Sequence, residues 1–416
     1  MFQADFLIRN AREILTCAGP VRLAGANQAR VSAIPNASLA ARDGTIVFVG
    51  PASEAEASVT LLPNAVVIDG EDHAVVPGFV DAHTHAVFAG DRRAELRRRL
   101  AGVTYAEIAA SGGGIVSTVT ATRDASERDL IDQSRPRLDE MLACGTTTCE
   151  IKSGYGLDVE SELRMLRAIC ALRREHRMDI VATFMGAHEV PPEYRERRDQ
   201  YVDLVIEEML PAVAAEKLAT WCDVFCETGV FSPDESLRIL EAGVHHGLQP
   251  RIHADELGAS GGSLVAARVG ARSADHLIFV PDEAIEALAA AGVVATLLPN
   301  AAFYLKLGRF APARQLIERG VPVALATDVN PGGGFSPSMP FAIALACFGM
   351  NMTFEEALVA ATANGAWSLD MSDTVGSLEP GKLADAVIVR GEAINLIRMG
   401  ATSIAAVVKR GRVVGG

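Results

Sequence analysis

Eight short apolar runs, each closing on polar residues, constrain this 416-residue chain more than any other feature. They are FVDAHTH (79–85), TTTCEIKSG (146–154), IVATFMGAH (180–188), DVFCETG (223–229), RIHADE (251–256), SADHLIF (273–279), VVATLLPN (293–300) and VALATD (323–328). Amphipathic stretches such as 161–176 and 233–247 lie between most of them. Apolar strands alternating with helical crossovers predict a parallel sheet buried on both faces, and eight of them predict a (β/α)8 TIM barrel. The ends read differently. DFLIRNAREILT, TIVFVG, AVVIDG and HAVV near the start, and GKLADAVIVR and AAVVKRGRVVGG near the end, are β-like pieces with turn signals. They predict a small β-sandwich domain formed from both termini, residues 1–76 and 373–416, around a barrel of 77–372.

A barrel of this kind places reactive residues at the C-terminal ends of its strands. Those ends carry His83, His85, His188, His253, Glu256, His276 and Asp328, so five of the nine histidines fall on one predicted rim. In a strand, residues i and i+2 share a face, so His83 and His85 can bind one cation. Adding His253 and Asp328 from later strands gives three nitrogens and one carboxylate. That set, with a position left for water, suits zinc or iron. A cation there brings the pKa of water on it toward about 7 and polarises a carbonyl or amidine carbon. Asp328 can both ligate and accept the proton of the attacking water. His276 is placed to orient that water and stabilise an oxyanion, and Glu256 or His188 to carry a proton to the leaving ring nitrogen.

Other features read as structural. His245 and His246 lie near a helix end, and His73 and His176 in surface-type contexts. Cys222 and Cys226 lack a second cysteine pair and read as buried thiols. Lys152 falls on the second predicted strand, the wrong place for a carbamylated metal bridge. DRRAELRRRL (91–100) interleaves acids and bases as a solvated helix face does. The connection after the first run, roughly 50 residues long, contains the Gly-rich SGGGIVSTVTATRDAS (111–126), which reads as a functional loop or lid.

Composition excludes several classes. Fifty-two acids against 38 bases give a net charge of −14, so no basic footprint for nucleic acid exists. Residues 287–298, the longest nearly apolar stretch, fall about six residues short of a membrane span. Asp5 and Arg9 interrupt the place of a signal peptide's apolar core. Seven scattered cysteines suit a reducing cytoplasm better than a disulfide framework.

PGFVDAHTH, HADE, SADH and ATD together resemble the amidohydrolase superfamily. LIRNAREILTCAG, GGGIVSTVTATRDAS, TTTCEIKSGYGL, TFMGAHEVPPEY, ETGVFS, IHADE, SADHL and ATDVNPG look more specifically like the imidazolonepropionase family, over about residues 7–410. The resemblance implies hydrolytic opening of the ring of 4-imidazolone-5-propanoate to N-formimidoyl-L-glutamate in histidine degradation. It implies one Zn²⁺ or Fe³⁺ per subunit on His83, His85, His253 and Asp328. It further implies that Arg92, Tyr155, His188, Glu256, Asn330 and Gly332 contact substrate, with Tyr105 a further contact and the chain a homodimer. One position departs from the family pattern: many relatives carry Ser or Thr where this chain has Gly333, which leaves only backbone for a contact. A purine or pyrimidine deaminase would use the same metal set, and KSGYG and GGGIVST argue against it. A barrel that had lost catalysis would lack a ligand or an acid/base, and all are present.

Overall fold

The computed structural model describes residues 1–20, 22–103, 107–108 and 112–415. Each of the eight apolar runs supplies one strand of a parallel sheet. The strands are β6 (Phe79–Asp81), β7 (Thr146–Lys152), β8 (Asp179–Ala187), β9 (Trp221–Cys226), β10 (Gln249–Ala254), β11 (Ser273–His276), β12 (Val294–Leu297) and β13 (Val323–Leu325). They pair in chain order from β6 to β13. All seven residues of β7 are buried, as expected of a strand covered on both faces.

The sheet closes just beyond its strands. The amide of Asp328 donates to the His83 carbonyl (3.1 Å), and that of His85 to the Val329 carbonyl (2.9 Å). The Asp81 carboxylate accepts from the Thr327 amide (2.9 Å) and hydroxyl (2.5 Å). The seam between first and eighth strands is therefore made by the segments that carry the metal-type residues.

The helices between strands start where their sequences supply caps. The Asp158 side chain accepts from the Ser161 amide to open helix Val159–Glu175, and Ser232 with Glu235 forms a capping box for helix Pro233–His245. Both lie within two residues of the stretches expected from their apolar spacing. The Gly-rich segment differs from expectation. Its described part is a loop only from Gly112 to Gly114, whose φ of +76° suits glycine, and then forms helix Ile115–Asp124. That helix is rich in β-branched residues, so packing of Val119 and Thr122 overrides a weak local propensity.

The remaining strands come from both termini: β1 (Phe2–Leu15), β2 (Ala33–Arg42), β3 (Thr45–Pro51), β4 (Val59–Asp69) and β5 (His73–Pro77), then β14 (Ala386–Arg390), β15 (Ile404–Lys409) and β16 (Arg412–Gly415). They form one mixed sheet in the order β16-β15-β14-β5-β1-β2-β3, with β4 also on β1. Its ends pack together, since Leu39 and Ile46 share a core with Ile388 and Val408. The sandwich-like core is thus enclosed by a single curled sheet. No helix among the described residues is long and apolar enough to cross a membrane.

Candidate active site and metal centre

His83 and His85, expected on the first strand, lie just past it, since β6 stops at Asp81. His253 sits inside β10, His276 ends β11, and Asp328 follows β13. His276 (φ +75°) and Asp328 (φ +52°) have left-handed backbone, as does Asp255 (φ +51°). Such conformations cost free energy in non-glycine residues and cluster at functional sites. Here they turn the chain at the barrel rim. The Asp255 carboxylate holds its own turn by accepting from the amides of Ser260 and Gly261, both at 2.9 Å. Glu256 next to it lines the cavity.

The ligating-type atoms converge. His83, His85 and His253 bring one nitrogen each within 4.8 Å of one another, and all three residues are buried. The Nε2 atoms of His253 and His85 are 3.3 Å apart. Asp328 Oδ1 is 3.5 Å from His83 Nε2 and 3.6 Å from His85 Nε2. Ligands about 2.0–2.1 Å from a tetrahedral cation stand about 3.3–3.4 Å apart, so these spacings fit a metal ion. The buried His83 Nε2 and Asp328 Oδ1 have no hydrogen-bond partner among the described residues, which is costly unless a cation fills the gap. Protonation states agree. Burial holds His83 and His85 well below the usual imidazole range, hence neutral and able to ligate. His83 Nδ1 faces Asp275 (2.6 Å) and His253 Nδ1 faces Asp223 (3.0 Å), which leaves each Nε2 its lone pair.

A cavity of about 240 Å³ opens onto this cluster. It is lined by His85, His253, His276 and Asp328 at the metal end, and by Arg92, Tyr155, His188, Glu256, Asn330, Gly332 and Gly333 elsewhere. Of the substrate contacts implied by resemblance, only Tyr105 is missing, and it lies outside the described residues. Burial pushes the Glu256 carboxyl well above the carboxylate range and Asp328 up to about 7, while burial brings His188 down to about 3. His188 Nδ1 donates to the Gly154 carbonyl (3.0 Å), because a carbonyl can only accept. Its Nε2 is then an acceptor. Its ring stacks on His85 at 4.9 Å, and Tyr155 lies 5.2 Å away.

Arg92 occupies the N-cap position of helix Arg93–Leu100, with no capping hydrogen bond from its side chain, rather than lying on the helix's solvated face. It is buried and paired with Glu95 at 2.8 Å. A Cβ on Gly332 would strike the Arg92 guanidinium, so glycine makes room for that arginine. The loop after Asp328 is organised by Asn330. Its side chain donates to the Asp328 carbonyl (2.7 Å) and accepts from the amides of Gly332 (2.8 Å) and Gly333 (2.6 Å). Asn330, Gly332 and Gly333 thus shape the cavity wall, with these polar groups already engaged by the loop itself. Arg99 fixes the same loop by donating to the Gly332 carbonyl (2.5 Å), an exception to the solvated reading of that helix.

Several residues of the site escaped the reading of the sequence: Glu150, Asp223 and Asp275, which lie behind the histidines with Lys152. The signal for them was present as charged residues inside otherwise apolar strands, where burial demands partners. Lys152 faces those carboxylates, with Nζ 2.7 Å from both Glu150 and Asp223. Cys222 and Cys226 are buried, and His245 and His246 lie at the end of helix Pro233–His245, both as expected.

Comparison with known proteins now defines the class. Residues 137–415 match the Amidohydro_3 model, described as an amidohydrolase family. Two solved structures share the fold over nearly their whole length. One is a mutant atrazine chlorohydrolase of Arthrobacter aurescens TC1 complexed with zinc and atraton (TM-score 0.69, 17% identity, covering 98% of this chain and 95% of that one). The other is an adenosine deaminase of Xanthomonas campestris with bound zinc (TM-score 0.67, 20% identity, 99% and 93%). At these identities they speak for the fold alone. The curated relatives go further. Imidazolonepropionases of Symbiobacterium thermophilum (52% identity; 100% of this chain, 98% of theirs), Parabacteroides distasonis (47%; 94% and 93%) and Geobacillus kaustophilus (49%; 92% and 90%) match almost end to end. The chain belongs to the imidazolonepropionase family of the amidohydrolases.

Proposed function

We propose that this chain hydrolyses the ring of 4-imidazolone-5-propanoate to N-formimidoyl-L-glutamate, with one zinc or iron ion on His83, His85, His253 and Asp328. One observation carries this reading: a single small cavity has a metal-type cluster at one end and a buried arginine in its wall. A compact ring bearing a carboxylate needs both. The bound ion would supply activated water at neutral pH and polarise the ring carbonyl. Asp328 accepts the proton of the attacking water. His276, whose Nε2 lies 3.6 Å from Glu256, steadies the developing oxyanion. Glu256, kept protonated by burial, delivers a proton to the leaving ring nitrogen. His188 Nε2 accepts a hydrogen bond from a ring N–H, and Tyr155 packs beside it. Arg92 grips the propionate in the fork geometry that suits a carboxylate. A nucleobase carries no carboxylate to place against that arginine, and the adenosine deaminase with this fold is only 20% identical, too distant to speak for activity.

The arginine is the sharpest test of substrate class. Arg92→Ala should raise KM about 10–100-fold with little change in kcat, because a charged hydrogen bond of about 1.5–3 kcal/mol is lost equally from ground and transition states. A pure kcat loss at unchanged KM would contradict the grip. Gly332→Ala should raise KM in the same direction by displacing the guanidinium.

The family resemblance supports a homodimer, which light scattering on the purified protein would check. Free, buried Cys17, Cys149, Cys222 and Cys226 support a reducing compartment such as the cytoplasm.

A further inference from the structure

Lys152 has no part in the chemistry above, yet it is among the largest fully buried side chains of the molecule. It ends β7, where Glu150 two residues earlier shares its face. Its ammonium Nζ stands 2.7 Å from Glu150 Oε1, 2.7 Å from Asp223 Oδ2 on β9 and 3.8 Å from Asp275 Oδ2 on β11. All four side chains are fully buried.

Each carboxylate has a second task. Asp223 Oδ1 accepts from His253 Nδ1 (3.0 Å) and from the His253 amide (3.2 Å). Asp275 Oδ2 accepts from His83 Nδ1 (2.6 Å), while its Oδ1 accepts from Ser273 (2.6 Å). Glu150 Oε2 accepts from the amide of Thr84, the residue between His83 and His85 (3.2 Å), and Oε1 from the Thr183 hydroxyl. Arg251 also approaches Asp275, at 3.6 Å.

We propose that Lys152 is a positioning residue whose ammonium gathers three carboxylates from three strands and so sets the aim of the metal-binding histidines. Three buried carboxylates this close would repel one another and swing apart without a central cation. A lysine suits the place because its compact charge presents three donors in different directions. The same geometry disfavours a carbamate on Lys152, which would set a fourth anion among three.

The inference rests on the metal reading of the three-histidine site, and the test separates the two. Wild-type protein, Lys152→Met and the pair Glu150→Gln/Lys152→Met, which removes one charge of each sign, would be stripped of metal and checked for folding by circular dichroism. Zinc affinity would be measured by chelator competition, and visible absorption after loading with Co²⁺. Folded variants are expected to bind zinc about 10–100-fold more weakly, the usual cost of losing a partner that orients a ligand. Their Co²⁺ bands should shift, which a loss of bulk stability alone would not produce. Wild-type affinity and an unchanged Co²⁺ spectrum in either folded variant would overturn the role of Lys152. Failure of both variants to fold would also overturn it, by assigning the network to stability alone. A wild-type protein that bound neither ion would instead remove the metal reading itself.

Discussion

His253→Ala is expected to lose its metal and its turnover together. His253 is the ligand whose Nε2 meets His85 Nε2 at 3.3 Å, and its other nitrogen is anchored by Asp223. Without it, His83, His85 and Asp328 hold too few donors for a stable site. The ion's share of transition-state stabilisation is several kcal/mol, so kcat/KM should fall by at least about 10³-fold. Metal analysis of the dialysed variant beside its kinetics checks both halves. A variant that kept full turnover would show that the ion sits elsewhere.

Glu256→Gln should instead keep the metal and lose roughly 10²–10⁴-fold in kcat, the range for removing a positioned proton donor. The pH profile adds a sign. Burial raises the Glu256 carboxyl well above its ordinary value, so the group is protonated at low pH and loses its proton as pH rises through the raised value. An acid is active only while protonated. Wild-type kcat should therefore decline on the alkaline side, and the Gln variant should lack that limb. Persistence of the same limb in Glu256→Gln would move the acid to another group.

Much of this site could be read from local sequence because barrel chemistry is local. A strand end is a short motif, and FVDAHTH, RIHADE, SADH and ATD each carry their residue where the fold presents it. All eight strands fall where apolar runs close on polar residues. What could not be read lies in contacts between distant segments. Asp223 and Asp275 look like isolated acids until β9 and β11 bring them to Lys152. Arg92 was marked as a substrate contact only through the family resemblance, and the fold supplies what the charged stretch around it does not show: the guanidinium lies in the cavity wall against Gly332. Asn330, implied as a substrate contact, lines the cavity and also organises its own loop through its side chain. The Gly-rich segment concealed a helix because Val, Thr and Ile are weak helix formers, and tertiary packing decided their conformation.

The most direct test of the proposed reaction is a single tube containing metal-loaded protein and freshly made 4-imidazolone-5-propanoate. Ultraviolet absorbance of the ring and released ammonia are followed together. Ring opening adds water and expels nothing, so absorbance should fall while ammonia stays at background. An unchanged absorbance, with ammonia released from a panel of nucleobases, would contradict the assignment and make the protein a deaminase on the same barrel.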